Sequence, residues 1–295
     1  MTLDFTVEGT CSINMDKYIE DILRDTVTVG VKRTPSTPDL FNRDMISPPL
    51  SGGQDKEFHT MVARLLFASK RSRIDTQCVV AYLATRVRAP TEQDWKKLQH
   101  LLQYLNGTPK LGLKLTTGSR GVVHESFVDA SFAVHEDRKS HTGLVDRIGN
   151  AVVDTKSSKQ RINTNSSCEA EIVAVSESLD RIVQEHDFLV HQGYSQLPPT
   201  VLFQDNESTM SLINHGRARS ESTRHIDIKY FYVKDHVDRG KMVVQQKPTE
   251  QMIADFFTKP LAGERFIMLR NIIMGQDTDE DVFVMGTEEH KEYRE

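Results

Sequence analysis

The sequence predicts an α/β fold: a five-stranded mixed sheet with flanking helices, preceded by a small all-α bundle. Three observations carry this. Over residues 55–107 the apolar residues recur at helical spacing in three short stripes. From about residue 124 the pattern changes to short apolar runs, the first three joined by tight turns, which makes them antiparallel neighbours. The last two runs are separated by helical stretches, so they need crossovers and should lie parallel to the first strand. Setting them beside it brings their ends together, and such strand ends are where α/β sheets place ligands.

The chain opens with one short amphipathic helix. Tyr18, Ile19, Ile22 and Leu23 form its apolar side, with Asp16, Lys17, Glu20 and Asp21 around it. Residues 34–49 are rich in Pro, Ser, Thr and Asp and read as a linker or extended loop. The first bundle helix carries Phe58, Val62, Leu65 and Leu66, and the second Val79, Val80 and Leu83. The third carries Trp95, Leu98, Leu101, Leu102 and Leu105. Thr91 with Asp94 three residues on is a capping signal, and Asn106-Gly107 is a stop. Trp95 and Tyr104 are expected in the bundle core. The basic residues Lys70, Arg71, Arg73, Arg86 and Arg88 suit a solvated face or phosphate contact equally well.

Leu111-Gly112-Leu113-Lys114-Leu115 alternates as a strand. Further strands are expected at about 124–134, 142–145 and 151–153, with Gly149-Asn150 as a hairpin signal between the last two. A long helix covers about 167–191, with Ile172, Val175, Leu179, Ile182 and Leu189 inward and Gly193 as its stop. A strand at 201–203, a helix at 208–214 and a helix at 224–238 follow, the last with Ile228, Phe231 and Val237 inward. A strand at 242–245 precedes a short helical pattern at 251–257. The polar, acidic segment 276–295 is expected to be a mobile tail.

At 295 residues, with 38% hydrophobic and 27% charged residues, the chain is long enough for two ordinary globular domains. The net charge of −5 is not the bulk signature of a non-specific nucleic-acid binder. Cys11, Cys78 and Cys168 lie far apart without a C-x-x-C pair, against a disulfide framework or zinc knuckle and in keeping with an intracellular setting. No run approaches about 18 uninterrupted apolar residues, so no membrane span is expected. The N-terminus lacks the regions of a signal peptide, and no internal repeat is visible.

The candidate chemistry lies in four carboxylates at the edges of apolar segments. Asp129 sits within a strand that contains no Lys or Arg, and a buried unpaired carboxylate is costly. A divalent cation shared with other carboxylates would settle that cost. Glu171 opens the long helix, Asp205 follows the strand at 201–203, and Asp255 lies in the late helical pattern. A lone Asp of this kind is usually a cap or turn residue. Four in this order on these elements point to a joint metal site.

Several strings around these carboxylates are distinctive. They are Asp129-Ala130-Ser131-Phe132-Ala133 with Arg138-Lys139-Ser140 and Thr142-Gly143, then Ser157-Ser158-Lys159-Gln160 through Glu169-Ala170-Glu171, and Asp205-Asn206-Glu207-Ser208. His225-Ile226-Asp227-Ile228-Lys229-Tyr230 and Ala254-Asp255-Phe256-Phe257-Thr258-Lys259-Pro260-Leu261 are the most specific. Together with Pro90-Thr91-Glu92, Trp95 and Leu105-Asn106-Gly107-Thr108, they resemble the C-terminal end of a copia-type retrotransposon polyprotein. The resemblance covers most of residues 15–275. It implies a palm-end remnant and linker at 1–52, a reverse-transcriptase thumb-like bundle at 53–110 and a ribonuclease H-like domain at 111–275.

The activity so implied is metal-dependent endonucleolytic hydrolysis of the RNA strand of an RNA–DNA hybrid. Asp129, Glu171, Asp205 and Asp255 would be both catalytic and metal-binding. Two Mg²⁺ ions (Mn²⁺ as a substitute) about 3.5–4 Å apart would activate water and stabilise the leaving 3′-oxygen. Glu171 is preferred to Glu169 because a small residue, Ala174, and an aliphatic one, Val175, follow it at three and four positions. Asn206, Lys139, Lys159, Arg224 and His225 are the expected hybrid contacts. His124 and His236 stand outside any motif. The family usually has Trp at the positions of Phe132 and Thr155, Asp at Ser131 and Pro at Ile74; these departures suggest drift but touch no metal-assigned residue.

The resemblance also implies an upstream polymerase palm in a parent polyprotein, and no polymerase activity for this stretch alone. Cytoplasm, nucleus or a virus-like particle would be its setting. Two other readings stay open. One is a catalytically inactive nucleic-acid-binding remnant. The other is a transposase or integrase of the same general fold, but that class orders its acids Asp, Asp, Glu, whereas Glu171 here comes second.

Overall fold

A computed structural model describes residues 1–116, 118, 121–194, 197–215 and 224–276. Two short strands open the chain, β1 (Thr2–Asp4) and β2 (Thr10–Asn14). Neither was readable, because β1 is exposed along its length and β2 only half-buried, so no apolar alternation marks them. β3 (Leu113–Thr116) is the alternating segment expected after the bundle. It pairs with β2 rather than with the larger sheet, giving a three-stranded sheet β1-β2-β3. The sequence division at 110/111 therefore separates two strands that are hydrogen-bonded to each other.

Between β2 and β3 lie four α-helices: α1 (Asp16–Asp25), α2 (Gln54–Ser69), α3 (Gln77–Arg86) and α4 (Glu92–Gly107). α1 buries Ile19 and Ile22, as its periodicity predicts. α4 begins with the expected cap: the Thr91 hydroxyl accepts from the Asp94 N–H, and the Asp94 carboxylate accepts from the Thr91 N–H at 2.9 Å. The segment 34–49 carries no helix, yet Leu40 is fully buried and Phe41 packs against the rings of Tyr82, His135 and His141.

The basic residues between α2 and α4 do not form one solvated face. Arg73 turns inward, fully buried, and pairs with Asp75. Arg86 pairs with Asp94, and Arg71 lies over the Phe67 ring.

The larger sheet contains β4 (His124–Ser131), β5 (His141–Ile148), β6 (Ala151–Lys159), β7 (Thr200–Gln204) and β8 (Met242–Gln246). Its order is β6-β5-β4-β7-β8. β5 runs antiparallel to both β4 and β6, while β7 pairs parallel with β4 and β8 parallel with β7, the expected five-stranded mixed sheet. Alternate residues feed opposite faces. Phe127, Val145, Val152, Val201 and Phe203 join the core of α1–α4, while Val128, Leu144 and Leu202 join a second core. That second core is built on α5 (Ser167–His191), α6 (Glu207–His215) and α7 (Arg224–Asp238). The described residues close with α8 (Asp255–Thr258) and α9 (Gly263–Ile273). α9 was not anticipated, although Phe266, Leu269, Ile272 and Ile273 have helical spacing and are buried.

One expectation about α7 is overturned. Ile228 and Phe231 were expected inward but are 79% and 64% exposed. Tyr230 and Val233 are buried instead, and Val237 packs beside them. Those three repeat at i, i+3 and i+7, which is a complete stripe; Ile228 and Phe231 fall on the other side of the helix. Of the acidic tail, Gln276 is described and donates to the Gly112 carbonyl at 2.9 Å; residues 277–295 lie outside the described residues. Among the described residues no helix is long and apolar enough to cross a membrane.

Candidate active site

The sheet order brings two strand ends together. β4 and β7 are parallel neighbours, with Phe127 beside Phe203. Two residues on, Asp129 lies near the end of β4 and Asp205 immediately follows β7. α5 crosses the sheet from its capped start, where the Ser166 hydroxyl accepts from the Glu169 N–H. Its first turns carry Glu171 toward the same point. One oxygen from each of Asp129, Glu171 and Asp205 lies within 4.8 Å of the other two. Asp129 and Glu171 are buried and Asp205 is half-buried.

Glu169 does not compete for this position. Its carboxylate turns back to accept from the Asn165 N–H at 2.8 Å, a cap on the start of the helix. Glu171 instead accepts from the Gln204 side chain at 3.1 Å. The same Gln204 amide accepts from the backbone N–H groups of Asp205 and Asn206, at 2.9 and 3.2 Å. Gln204 thus ties the loop bearing one carboxylate to the helix bearing another. No motif reading singled it out, because its position at the end of β7 looks like any buried polar strand end.

Asp255 does not join the three-carboxylate group. Lys259 forms an ion pair with one of its oxygens, and Arg265 reaches the other at 3.0 Å. Arg265 comes from the unanticipated α9, so this competition could not be seen in the sequence. Lys259 also lies 3.6 Å from Asp129, and the Thr258 hydroxyl donates to the same Asp129 oxygen. Both belong to the string around Asp255. Thr249 donates to Asp205 at 2.9 Å.

The electrostatics follow from crowding. Burial pushes the Asp129 carboxyl up to about 6, against the pull of Lys259. Burial, and then the charge of Asp129, hold Glu171 well above the usual carboxylate range. Without a cation these groups retain protons at pH values where free carboxylates have lost them. A divalent ion with a preference for oxygen would replace those protons.

The expected hybrid contacts are more dispersed. Asn206 caps α6, its side chain accepting from the Thr209 N–H at 3.0 Å. Lys139 and Lys159 both flank Asp137, at 3.8 and 2.8 Å. The side chains of Arg224 and His225 lie outside the described residues.

Gly143 faces Asp129 across the β4–β5 pair, and α8 rests on it. A Cβ there would come within 2.7 Å of the Thr258 methyl and 2.8 Å of the Ala254 carbonyl oxygen. The Gly143→Ala variant should therefore lose about 1–3 kcal/mol of stability, as overpacked sites do. Urea unfolding measures this, and an unchanged midpoint would mean that α8 does not pack on β5 in this way.

No family model matches the chain. Over 261 residues it is 27% identical to the "Retrovirus-related Pol polyprotein from transposon RE1" of Arabidopsis thaliana, covering 86% of this chain and 17% of that one. It is 25% identical over 268 residues to the corresponding polyprotein from transposon TNT 1-94 of Nicotiana tabacum, covering 88% and 20%. A "Truncated transposon Ty1-A Gag-Pol polyprotein" of Saccharomyces cerevisiae matches over 247 residues at 26%, covering 81% and 20%. These homologues are copia-type transposon polyproteins, and their similarity spans most of the chain. The chain itself spans only a small part, 17% and 20%, of the first two relatives it matches. Among solved structures, a ribonuclease H1 isolated from compost gives a TM-score of 0.35 at 16% identity, covering 45% of this chain and 90% of that one. The N-terminal ribonuclease H domain of a Mycobacterium tuberculosis protein gives 0.36 at 11% identity, covering 47% and 91%.

Proposed function

We propose that this chain, a homologue of copia-type transposon Pol polyproteins over most of its length, is a retroelement ribonuclease H. It would hydrolyse the RNA strand of an RNA–DNA hybrid endonucleolytically with divalent metal. The observation that carries the reading is the convergence of Asp129, Glu171 and Asp205 at the shared end of two parallel strands. The donor set suits Mg²⁺, with Mn²⁺ as a substitute: all three ligands are hard carboxylate oxygens, and neither Cys nor His is among them. The partial cover of Lys259 supplies one positive charge to a group that can carry three negative ones.

Asp129, Glu171 and Asp205 would hold the first ion. A second would need Asp255, which Lys259 and Arg265 would have to release. When bound, the metal supplies an activated water and charge stabilisation at the leaving 3′-oxygen. The chain's own part is positioning. Thr258 fixes Asp129 through its hydroxyl, Gln204 fixes Glu171, and Thr249 fixes Asp205. Lys139 and Lys159, close together around Asp137, would meet the hybrid's phosphates; Asn206, Arg224 and His225 complete the proposed contacts. The palm of a parent polyprotein would be its covalent neighbour.

One observation favours a second reading, an inactive nucleic-acid-binding remnant. The Lys259 ammonium already stands beside both Asp129 and Asp255, where a cation would otherwise sit. Incubating the purified chain with a hybrid labelled on its RNA strand separates the two. In Mg²⁺, RNA fragments are expected; with EDTA in excess the strand should stay whole, as it should in the Asp129→Asn variant. An intact RNA strand at every Mg²⁺ and Mn²⁺ concentration would support the remnant. Cleavage of duplex DNA but not of the hybrid would overturn both in favour of a transposase-like enzyme.

A further inference from the structure

A second group of metal-ligating side chains lies at the opposite end of the sheet. His124 is the first residue of β4, Asp146 lies on β5, and Glu185 lies in the second half of α5. One ligand atom from each falls within 4.8 Å of the others. His124 Nε2 is 2.8 Å from Asp146 Oδ1 and 3.8 Å from Glu185 Oε2. The side chains of His124 and Asp146 have no exposed surface.

Two features of this group point to a ligand. The first is that Asp146 Oδ2 and Glu185 Oε2 are buried with no hydrogen-bond partner. Oδ1 of the same Asp146 already takes the Ser126 hydroxyl, at 2.7 Å, as well as His124, so the free oxygen is not compensated elsewhere. A buried carboxylate oxygen without a donor is costly. The second is the arrangement behind the imidazole. His124 Nδ1 lies 2.7 Å from the Thr200 hydroxyl, which is also 3.2 Å from His186 Nδ1. When His124 donates from Nδ1 to Thr200, the lone pair of Nε2 points at the two carboxylates. A polar group fixing one ring nitrogen so that the other can ligate is the usual surrounding of a metal-bound histidine. Without metal the group holds protons instead: against burial, the hydrogen bond to Asp146 pushes His124 up to about 9, and burial pushes Glu185 up to about 7, so a divalent cation would take the place of those protons.

We propose that His124 Nε2, Asp146 and Glu185 form a divalent-metal site of the zinc type, which joins the start of β4 to β5 and α5. Zinc takes imidazole nitrogen and carboxylate oxygen at about 2.0–2.2 Å, with three protein ligands and a water as one common set. Ligands so held stand no more than about 4 Å apart, close to the spacing found here. The site is separate from the carboxylate group at the other end of the sheet. His124 and Asp129 are five residues apart on one strand, or about 16 Å. Glu185 and Glu171 are fourteen residues apart on one helix, or about 21 Å. The proposal therefore does not depend on the nuclease reading.

The test uses the full chain carrying Asp129→Asn, which disables the other carboxylate group. After stripping with a chelator and adding ZnCl₂, with Mg²⁺ in large excess, bound zinc is counted by native mass spectrometry and the melting temperature is recorded. One Zn²⁺ per chain is expected, with a rise of several degrees in melting temperature. Adding Glu185→Gln, at the least buried of the three ligands, should abolish both; adding Glu171→Gln instead should leave both in place. No bound zinc in the Asp129→Asn chain, or a stoichiometry unchanged by Glu185→Gln, overturns the proposal.

Discussion

Replacing Glu171 by Gln is expected to lower Mg²⁺-dependent cleavage of the hybrid by about 10³-fold, or about 4 kcal/mol of transition-state stabilisation. The same change should stabilise the metal-free chain at neutral pH. Both follow from one fact: Glu171 is buried against Asp129 and near Asp205. With metal bound its charge is needed, and the neutral amide cannot supply it. Without metal its charge is a burden. The sign of the pH dependence is fixed by the direction of the shifts. Glu171 is held well above its usual 4.5, and Asp129 is raised from 3.8 to about 6. The folded chain therefore keeps protons that the unfolded chain releases. The resulting stability is fully present below about pH 4 and is lost as the pH rises through about 6 and beyond. Urea unfolding in EDTA at a series of pH values should show this decline in the parent chain, and a shallower one in Glu171→Gln. Excess Mg²⁺ should flatten the parent profile, since the cation then replaces the protons. Cleavage within tenfold of the parent would remove Glu171 from the metal site; a flat metal-free profile would mean that the carboxylates are not crowded.

The parts legible in the sequence were those with local causes. Gly149 adopts a φ of 59°, which the hairpin between β5 and β6 requires, and the turn was visible as Gly149-Asn150. The capping box at Thr91 and the long apolar stripe of α5 are likewise written in consecutive residues. Asp129, Glu171 and Asp205, whose oxygens the fold brings within 4.8 Å of one another, each stand at the edge of such a local element. What stayed hidden depends on distant partners. Asp255 reads as one more acid until Arg265 arrives from α9 to claim it. His124 has no motif around it, since its partners Asp146 and Glu185 come from two other elements. Hydrophobicity alone points to the wrong side of α7, because Ile228 and Phe231 are more apolar than the Tyr230 that is buried. Arg73 reads as a solvated or phosphate-contacting charge, and nothing in its neighbourhood says that Tyr104 and Thr108 will close over it.

That buried arginine carries the largest expected loss of stability. Asp75→Ala should destabilise the chain by about 3–5 kcal/mol, the cost of leaving a buried charge without its partner. Arg73 donates to both oxygens of Asp75, at 3.0 and 2.8 Å, in the two-pronged geometry that guanidinium and carboxylate favour. It also donates to the carbonyl and hydroxyl of Thr108, at 2.9 and 2.8 Å. The Tyr104 hydroxyl adds a third bond to Asp75, at 2.6 Å. Burial, and then the charge of Asp75, push that hydroxyl far above its usual range, so it remains a donor. The group ties the turn after α2 to the end of α4, and through Tyr104 to Phe266 of α9, whose ring lies 5.8 Å away. Removing the carboxylate strands the guanidinium and the phenol together. Removing both charges is a different experiment. An Arg73→Met, Asp75→Leu double variant replaces the pair by apolar groups, a change that is often neutral in other proteins. It should recover much of what Asp75→Ala loses. Urea unfolding of the two variants decides the matter: a single variant within about 1 kcal/mol of the parent would place Arg73 in contact with water rather than in the core.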